Sequence, residues 1–303
     1  MPPSDRGPSR ATVAAFFAIV VIGSPVFVAV RFSNEALPPF WGAALRFGPA
    51  GLVFLALALA LRLGMPRGRA LMGNVIYGVL NFGASYAFAY WALVSIGASL
   101  AAVLVAIVPL LTFLLAALHR IEPFRWRPLA GGLVAVAGVA IIFGQQLSAD
   151  VPLLALLAML AAIVCIAETS VVVKLFPTSH PVTSNAVGML IGFVILATIS
   201  VLTKEARSLP PDPVTWLSLS YLTLVAGVVM FGLYVYVVRS WSASATAYIF
   251  VLTPLLAVPL ATWLANETVT PIFAAGAALV LLGVYVGALS GSPARAAPAP
   301  ATT

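Results

Sequence analysis

From Ala70 to Leu118 the chain runs for 49 residues without a charged side chain. That is too long for one buried helix and too bare for a water-facing surface. A helix crosses a bilayer's hydrocarbon core with about 20 apolar residues. The run therefore reads as two spans, with a turn at Ser95-Ile96-Gly97. The pattern continues along the chain. Apolar stretches at 12–30, 40–61, 70–91, 97–118, 127–144, 152–173, 183–203, 214–238, 244–264 and 271–290 are separated by short breaks rich in proline or charge. Ten transmembrane helices are predicted. The first follows Arg6 and Arg10 as a signal peptide would, but it lacks a small-residue cleavage site and leads into more membrane, so it is read as retained.

Composition excludes the soluble alternatives. Charged residues make up 8% and hydrophobic ones 62%, whereas a soluble domain carries roughly 25% charge. A cytosolic enzyme, a secreted domain and a nucleic-acid binder are ruled out. The net charge of +7 has another source. With the N-terminus in the cytoplasm, Arg6, Arg10, Arg62, Arg67, Arg69, Arg120, Arg125, Arg127, Lys174, Arg239 and Arg295 fall inside, and Arg31, Lys204 and Arg207 outside. That 11-to-3 bias is the positive-inside rule, and both tails are predicted cytoplasmic. The expected partners are the lipid bilayer and a small solute, with no nucleic acid. Cys165, the single cysteine, excludes an internal disulfide and reads as a buried thiol.

Shifted by 145 residues, the chain matches itself. Pro109 falls on Pro254, Leu110-Leu111 on Leu255-Leu256, Ser99 on Ser244, Glu122 on Glu267, Gly131 on Gly276 and Gly138-Val139 on Gly283-Val284. Nearer the start of each half the shift is 142 or 143, pairing Val30-Arg31-Phe32 with Val173-Lys174-Leu175 and Pro39 with Pro181. Five spans is an odd number, so the second half must be inverted relative to the first, an arrangement that places a cavity between halves. The predicted fold is an all-α membrane protein: ten transmembrane helices as two inverted five-helix repeats around a central cavity. Residues 1–11 form a cytoplasmic tail, 12–145 the first repeat, 150–290 the second, and 291–303 a disordered cytoplasmic tail.

Several motifs in this frame point to one family. They are Leu45-Arg46-Phe47, Tyr90-Trp91-Ala92-Leu93, Ala98–Ala102 with Val108-Pro109-Leu110, and in the second copy Ala243–Ala247, Thr253-Pro254-Leu255 and Asn266-Glu267. The pattern resembles a ten-helix EamA-type member of the drug/metabolite transporter superfamily over residues 11–290. One departure is Ile22-Gly23, where relatives often carry Trp-Gly. The resemblance implies secondary transport, commonly export, of amino acids, other metabolites or toxic organic compounds across a bacterial inner membrane.

Polar side chains inside spans mark candidate sites, because lipid does not tolerate them. Asn74, Tyr77, Asn81 and Ser85 recur at helical spacing on one face, with Tyr86 and Tyr90 on an adjoining stripe. That face suits a polar solute with an apolar body; it equally suits hydrogen bonding between helices. Ser99, Thr169, Tyr234 and Tyr248 are further candidate lining, as is Tyr221. Glu168 is the one acid within a span, either a proton carrier or a partner of Lys174. Arg46, about six residues into span two, either attracts an anion or braces backbone carbonyls. Pro109 and Pro254 are expected to kink their helices, glycines of spans five and ten to form packing seams, and Glu122 and Glu267 to brace helix starts. His119 and His180 have no ligand spacing, and no Gly-rich phosphate loop occurs, so no cofactor, metal or catalytic residue is expected. The rivals to a transporter are a membrane enzyme, which would need clustered acids or histidines at one face, and a non-transporting subunit. Monomer and homodimer both stay open.

Overall fold

The computed structural model describes residues 9–120, 126–148, 151–172, 175–177, 179–240 and 243–289, within which every regular element is helical. Glu122, Lys174 and the tail at 291–303 lie outside the described residues, as does most of the tail at 1–11. Helices α1 (Arg10–Gly23) and α2 (Val26–Ala36) meet at Ser24-Pro25, and α3 is Pro39–Ala60. Then α4 (Arg69–Tyr77) passes through a π-helical segment, Gly78–Ala84, into α5 (Ser85–Ala92). Next come α6 (Ala98–Val105), α7 (Val108–Leu118), α8 (Trp126–Ser148), α9 (Leu153–Val172) and α10 (Pro181–Leu202). A second π-helical segment, Tyr221–Val229, joins α11 (Pro213–Ser220) to α12 (Met230–Ser240), before α13 (Ala243–Leu264) and α14 (Pro271–Val284).

Six of these stretches are long and apolar enough to cross a membrane: Arg10–Ala36, Pro39–Ala60, Ala98–Leu118, Leu153–Val172, Pro181–Leu202 and Pro213–Tyr234. Leu129–Ile142, Ile249–Leu264 and Pro271–Gly287 are shorter apolar helices. The first span outruns its predicted end at Val30 and continues to Ala36. Its polar last turn is helical because each group finds a partner: Arg31 pairs with Glu267, and Asn34 donates to the Tyr90 carbonyl at 2.9 Å. In span four the helix is interrupted at Ala106-Ile107, just before Pro109, which has no N–H to continue the ladder. Pro254 instead lies inside the uninterrupted α13.

Packing follows the duplication. Helix α3 packs on α10, α6 on α13 and α8 on α14, each against its own counterpart. The contact of α5 with α9 is mirrored by that of α12 with α1. The first π segment lies on α10 and the second on α3. Exchanging the halves maps this set of contacts onto itself, as a two-fold relation between repeats requires.

The α8–α14 pair approaches closely because its seam is glycine. A Cβ added to Gly138 would lie 2.6 Å from the Gly276 carbonyl oxygen, and one on Gly283 would lie 2.5 Å from both the Gly131 oxygen and the Ala135 nitrogen. Helix ends are closed by residues that reverse the backbone. Arg62, Arg120, Lys204 and Asn266 adopt φ of 50° to 58° just past α3, α7, α10 and α13. At three of these ends a sixth-to-first bond closes the turn: Leu63 N to Ala58 O, Glu205 N to Ser200 O and Glu267 N to Ala261 O. At the start of α11 the Thr215 hydroxyl and backbone N–H donate to the Asp212 carboxylate, holding its pKa below the ordinary value.

Two predictions follow from this packing and capping. Gly138→Leu forces a branched side chain into the α8–α14 seam and should destabilise the detergent-purified protein by about 1–3 kcal/mol, read as a lower Tm with α-helical content retained. A depressed carboxylate stabilises fully above its unfolded pKa of about 3.9 and loses that contribution only as pH falls through the lower folded value. Asp212→Ala should therefore lower Tm by the same amount at about pH 6 and about pH 8.

Candidate functional site

Where the repeats meet, the chain buries a cation among aromatic rings. Arg46 is wholly buried on α3. Its guanidinium carbon lies 5.0 Å from the Tyr86 ring centroid and 4.9 Å from that of Phe47, distances at which ring faces attract a cation. Its Nη1 lies 3.5 Å from the Tyr90 hydroxyl, while Nε and Nη2 are buried without a hydrogen-bond partner. Tyr221, from the second π segment, sits close enough to interact electrostatically with the same guanidinium. Phe82 packs edge-on to Phe47 at 5.2 Å and parallel to Tyr86 at 6.3 Å, and reaches Phe231 of α12 at 5.5 Å.

Beyond Phe82 lies a cavity of about 160 Å³ lined by Tyr77, Ser179, Pro181, Ser184, Asn185, Phe231 and Tyr234. It combines hydroxyls and an amide with two aromatic faces. A wider groove of about 330 Å³, lined by α10 side chains from Phe193 to Leu202, is almost wholly apolar and lies on the exterior. It offers no group that recognises a polar solute.

The predicted polar face of span three is divided. Asn74 donates to Ser179 Oγ at 2.9 Å, and the Tyr77 hydroxyl donates to Asn185 Oδ1 at 3.0 Å, so both turn toward α10. The Ser85 hydroxyl donates back to the Asn81 carbonyl, and Asn81 is half-buried. The cause is the π segment between the two pairs: its wider turn advances less than an α-turn per residue and rotates everything after it. Periodicity of 3.6 could not foresee that rotation. Tyr86 and Tyr90 fall on the Arg46 side, and Tyr234 lines the cavity. Nothing is described of the Tyr248 side chain. Thr169 bonds its own helix, donating to the Cys165 carbonyl at 2.7 Å. Glu168 sits apart from Arg46, with Oε1 2.7 Å from His119 Nε2 at the end of α7. Asn185 and Ser179 were not singled out in the sequence, although an amide inside span seven is the kind of signal that finds them.

The opposite end of the bundle is tied shut by carboxylates. Glu267 accepts from the backbone N–H groups of Ala98 and Ser99 at 2.5 and 2.9 Å and pairs with Arg31 at 3.0 Å. It caps α6 and joins α2 to both repeats, the bracing role its loop position suggested. Ser99 is buried beside it. Glu205 likewise accepts from Phe40 and Trp41 N–H at the start of α3, and the Trp41 indole donates to the Ser208 carbonyl at 2.7 Å.

A duplicated, all-helical membrane bundle with a polar and aromatic interior between its halves defines a transporter class of protein. Comparison with known proteins agrees, because residues 10–144 and 153–288 each match the EamA-like transporter family. The chain belongs to that family. It is 29% identical over 262 residues to "Uncharacterized inner membrane transporter YedA" of Escherichia coli strain K12, covering 85% of this chain and 84% of the relative. It is 28% identical to a "Probable terminal-alkyne amino-acid exporter" of Streptantibioticus cattleyicolor, covering 90% and 92%. A "Probable amino-acid metabolite efflux pump" of Escherichia coli K12 is 26% identical, covering 88% and 91%. A crystal structure superposes with a TM-score of 0.63 at 23% identity, covering 93% of this chain and 99% of the other; at that identity the likeness is one of fold.

The carboxylate ties generate a test. Glu267→Ala and Arg31→Ala should each lower Tm, the first more, because it also uncaps α6 at a cost of about 0.5–2 kcal/mol. The double variant should lose less than the sum of the two, read as a coupling in a thermal-unfolding cycle.

Proposed function

We propose that this protein is a secondary transporter of the bacterial inner membrane. It exports small organic solutes, such as amino acids, related metabolites or toxic organic compounds, by alternating access. Its helices cross the membrane ten times, with both termini in the cytoplasm. The first repeat occupies 12–145 and the second, inverted repeat 150–290. Asn74, Tyr77, Asn81, Ser85, Tyr86, Tyr90 and Tyr234 border the solute path, and Glu168 couples export to protons.

One observation carries this reading: the exchange-symmetric packing brackets a polar, aromatic interior that is tied shut at one end and hollow toward the other. In the topology set by the arginines, Glu267, Arg31, Glu205 and Trp41 lie at the outer end. The cavity beneath Tyr77 and Asn185 lies toward the cytoplasm. Two related halves offer the reverse arrangement at little cost, because each set of contacts has a counterpart. The relatives named as amino-acid exporters support the solute class. At about 160 Å³ the cavity suits a small metabolite better than a drug-sized compound, whose pockets run to roughly 300–1,000 Å³.

Counterflow in proteoliposomes tests the proposal without any assumption about driving force. Vesicles loaded with amino acids and related metabolites should accumulate at least one labelled member of that set. No accumulation by correctly folded protein would contradict the reading. Glu168→Gln should abolish the response to an imposed pH gradient while leaving counterflow intact; unchanged coupling would remove Glu168 from the proton path.

A further inference from the structure

The guanidinium of Arg46 has no counter-ion. It lies seven residues into α3, about 10 Å along the helix from Pro39, and is fully enclosed by protein. The acids among the described residues are engaged elsewhere or remote. Glu168 faces His119, Glu267 faces Arg31, Glu205 caps α3, Asp212 caps α11, and Glu35 is exposed near the end of α2. An arginine cannot shed its proton to escape burial. Ring faces at 4.9 and 5.0 Å and one long contact with Tyr90 offset only part of the desolvation.

The unpartnered atoms have a definite geometry. Nη1 faces Tyr90, which leaves Nε and Nη2. Those two form the side-on edge of the guanidinium, with parallel N–H bonds spaced to meet both oxygens of a carboxylate. A lone structural contact to a carbonyl would use one donor; here a complete two-donor edge is vacant. Around it the walls are apolar and aromatic: Phe47, Phe82 and Tyr86. Phe82 alone stands between this edge and the cavity, since it touches Tyr77 and Phe231 on one side and Phe47 and Tyr86 on the other.

We infer that Arg46 is the anion receptor of the transport site and that the solute is a monocarboxylate with an apolar or aromatic body. Its two oxygens take the Nε–Nη2 edge, its body packs on Tyr86 and Phe82, and the Phe82 ring swings to admit it from the cavity. A cationic amine without a carboxylate is rejected by the same charge. This inference rests on the transport reading above for its physiological meaning, but binding is measurable on its own.

The test uses purified full-length protein and a panel of aliphatic and aromatic monocarboxylates. Each is matched with its amide and its amine, for example 3-phenylpropionate, 3-phenylpropionamide and 3-phenylpropylamine. Tm should rise with carboxylates and not with their matched amides or amines. Arg46→Met removes an uncompensated charge, so its ligand-free Tm should equal or exceed that of the parent, and it should not respond to carboxylate. Arg46→Lys keeps the charge but loses the flat two-donor edge, and the half-saturating carboxylate concentration should rise about tenfold or more. An equal response to the amides, a full response in Arg46→Met, or no response to any carboxylate overturns the inference. Should Arg46→Met fail to fold, a parent-like response in Arg46→Lys overturns it and a weakened one supports it. Carboxylate binding without counterflow keeps the site and removes transport; counterflow of uncharged solutes alone keeps transport and removes the carboxylate.

Discussion

Hydrocarbon offers no hydrogen bonds, so every polar group within these spans must be satisfied by the protein itself or by what the protein carries. That constraint organises the bundle. Serines and threonines in the helices return their hydroxyls to their own backbone, as Thr169 does to Cys165 and Thr253 to Ile249. Ser24, at the break in the first span, bonds Val20 and also reaches the Thr253 carbonyl in the other repeat. The carboxylates of Glu205 and Glu267 are spent on helix starts whose N–H groups would otherwise be unmet. Against that background the vacant edge of Arg46 is an exception of the kind that marks a ligand site.

The same constraint explains why the two halves pack as they do. Without a hydrophobic drive between helices, close backbone approach must supply the attraction. Gly138 and Gly283 permit it at the α8–α14 seam, and Gly78 and Gly188 permit it where span three crosses α10. The two π segments fall at corresponding places in spans three and eight, and each lies against the opposite repeat. They rotate the aromatic and polar side chains of those spans into the interior and so shape the path from Tyr77 to Arg46.

Much of this was legible in the sequence, because apolar runs, proline breaks and a 145-residue self-match report directly on lipid and on duplication. The bracing role of Glu267 followed from its loop position, but not the helix it caps, since Ala98 lies 169 residues away. The end of the first span was misplaced at Val30, because Arg31 and Asn34 look like a terminus until their partners across the bundle are known. The division of Asn74 and Tyr77 from Asn81 and Ser85 was invisible, since nothing local distinguishes a π turn from an α turn. The orphaned state of Arg46 is also nonlocal: only the positions of all nearby acids reveal it.

The central claim is that the two repeats exchange roles, one end opening as the other closes. Spin labels on a Cys165→Ser background report it directly, with one pair at Ser95 and Thr268 on the Glu267 end and another at Met65 and Leu175 on the opposite end. Weakening the tie with Glu267→Gln should lengthen the first distance and shorten the second in the same sample, as measured by double electron–electron resonance. Distances that stay fixed, or that lengthen together, would contradict alternating access between these halves.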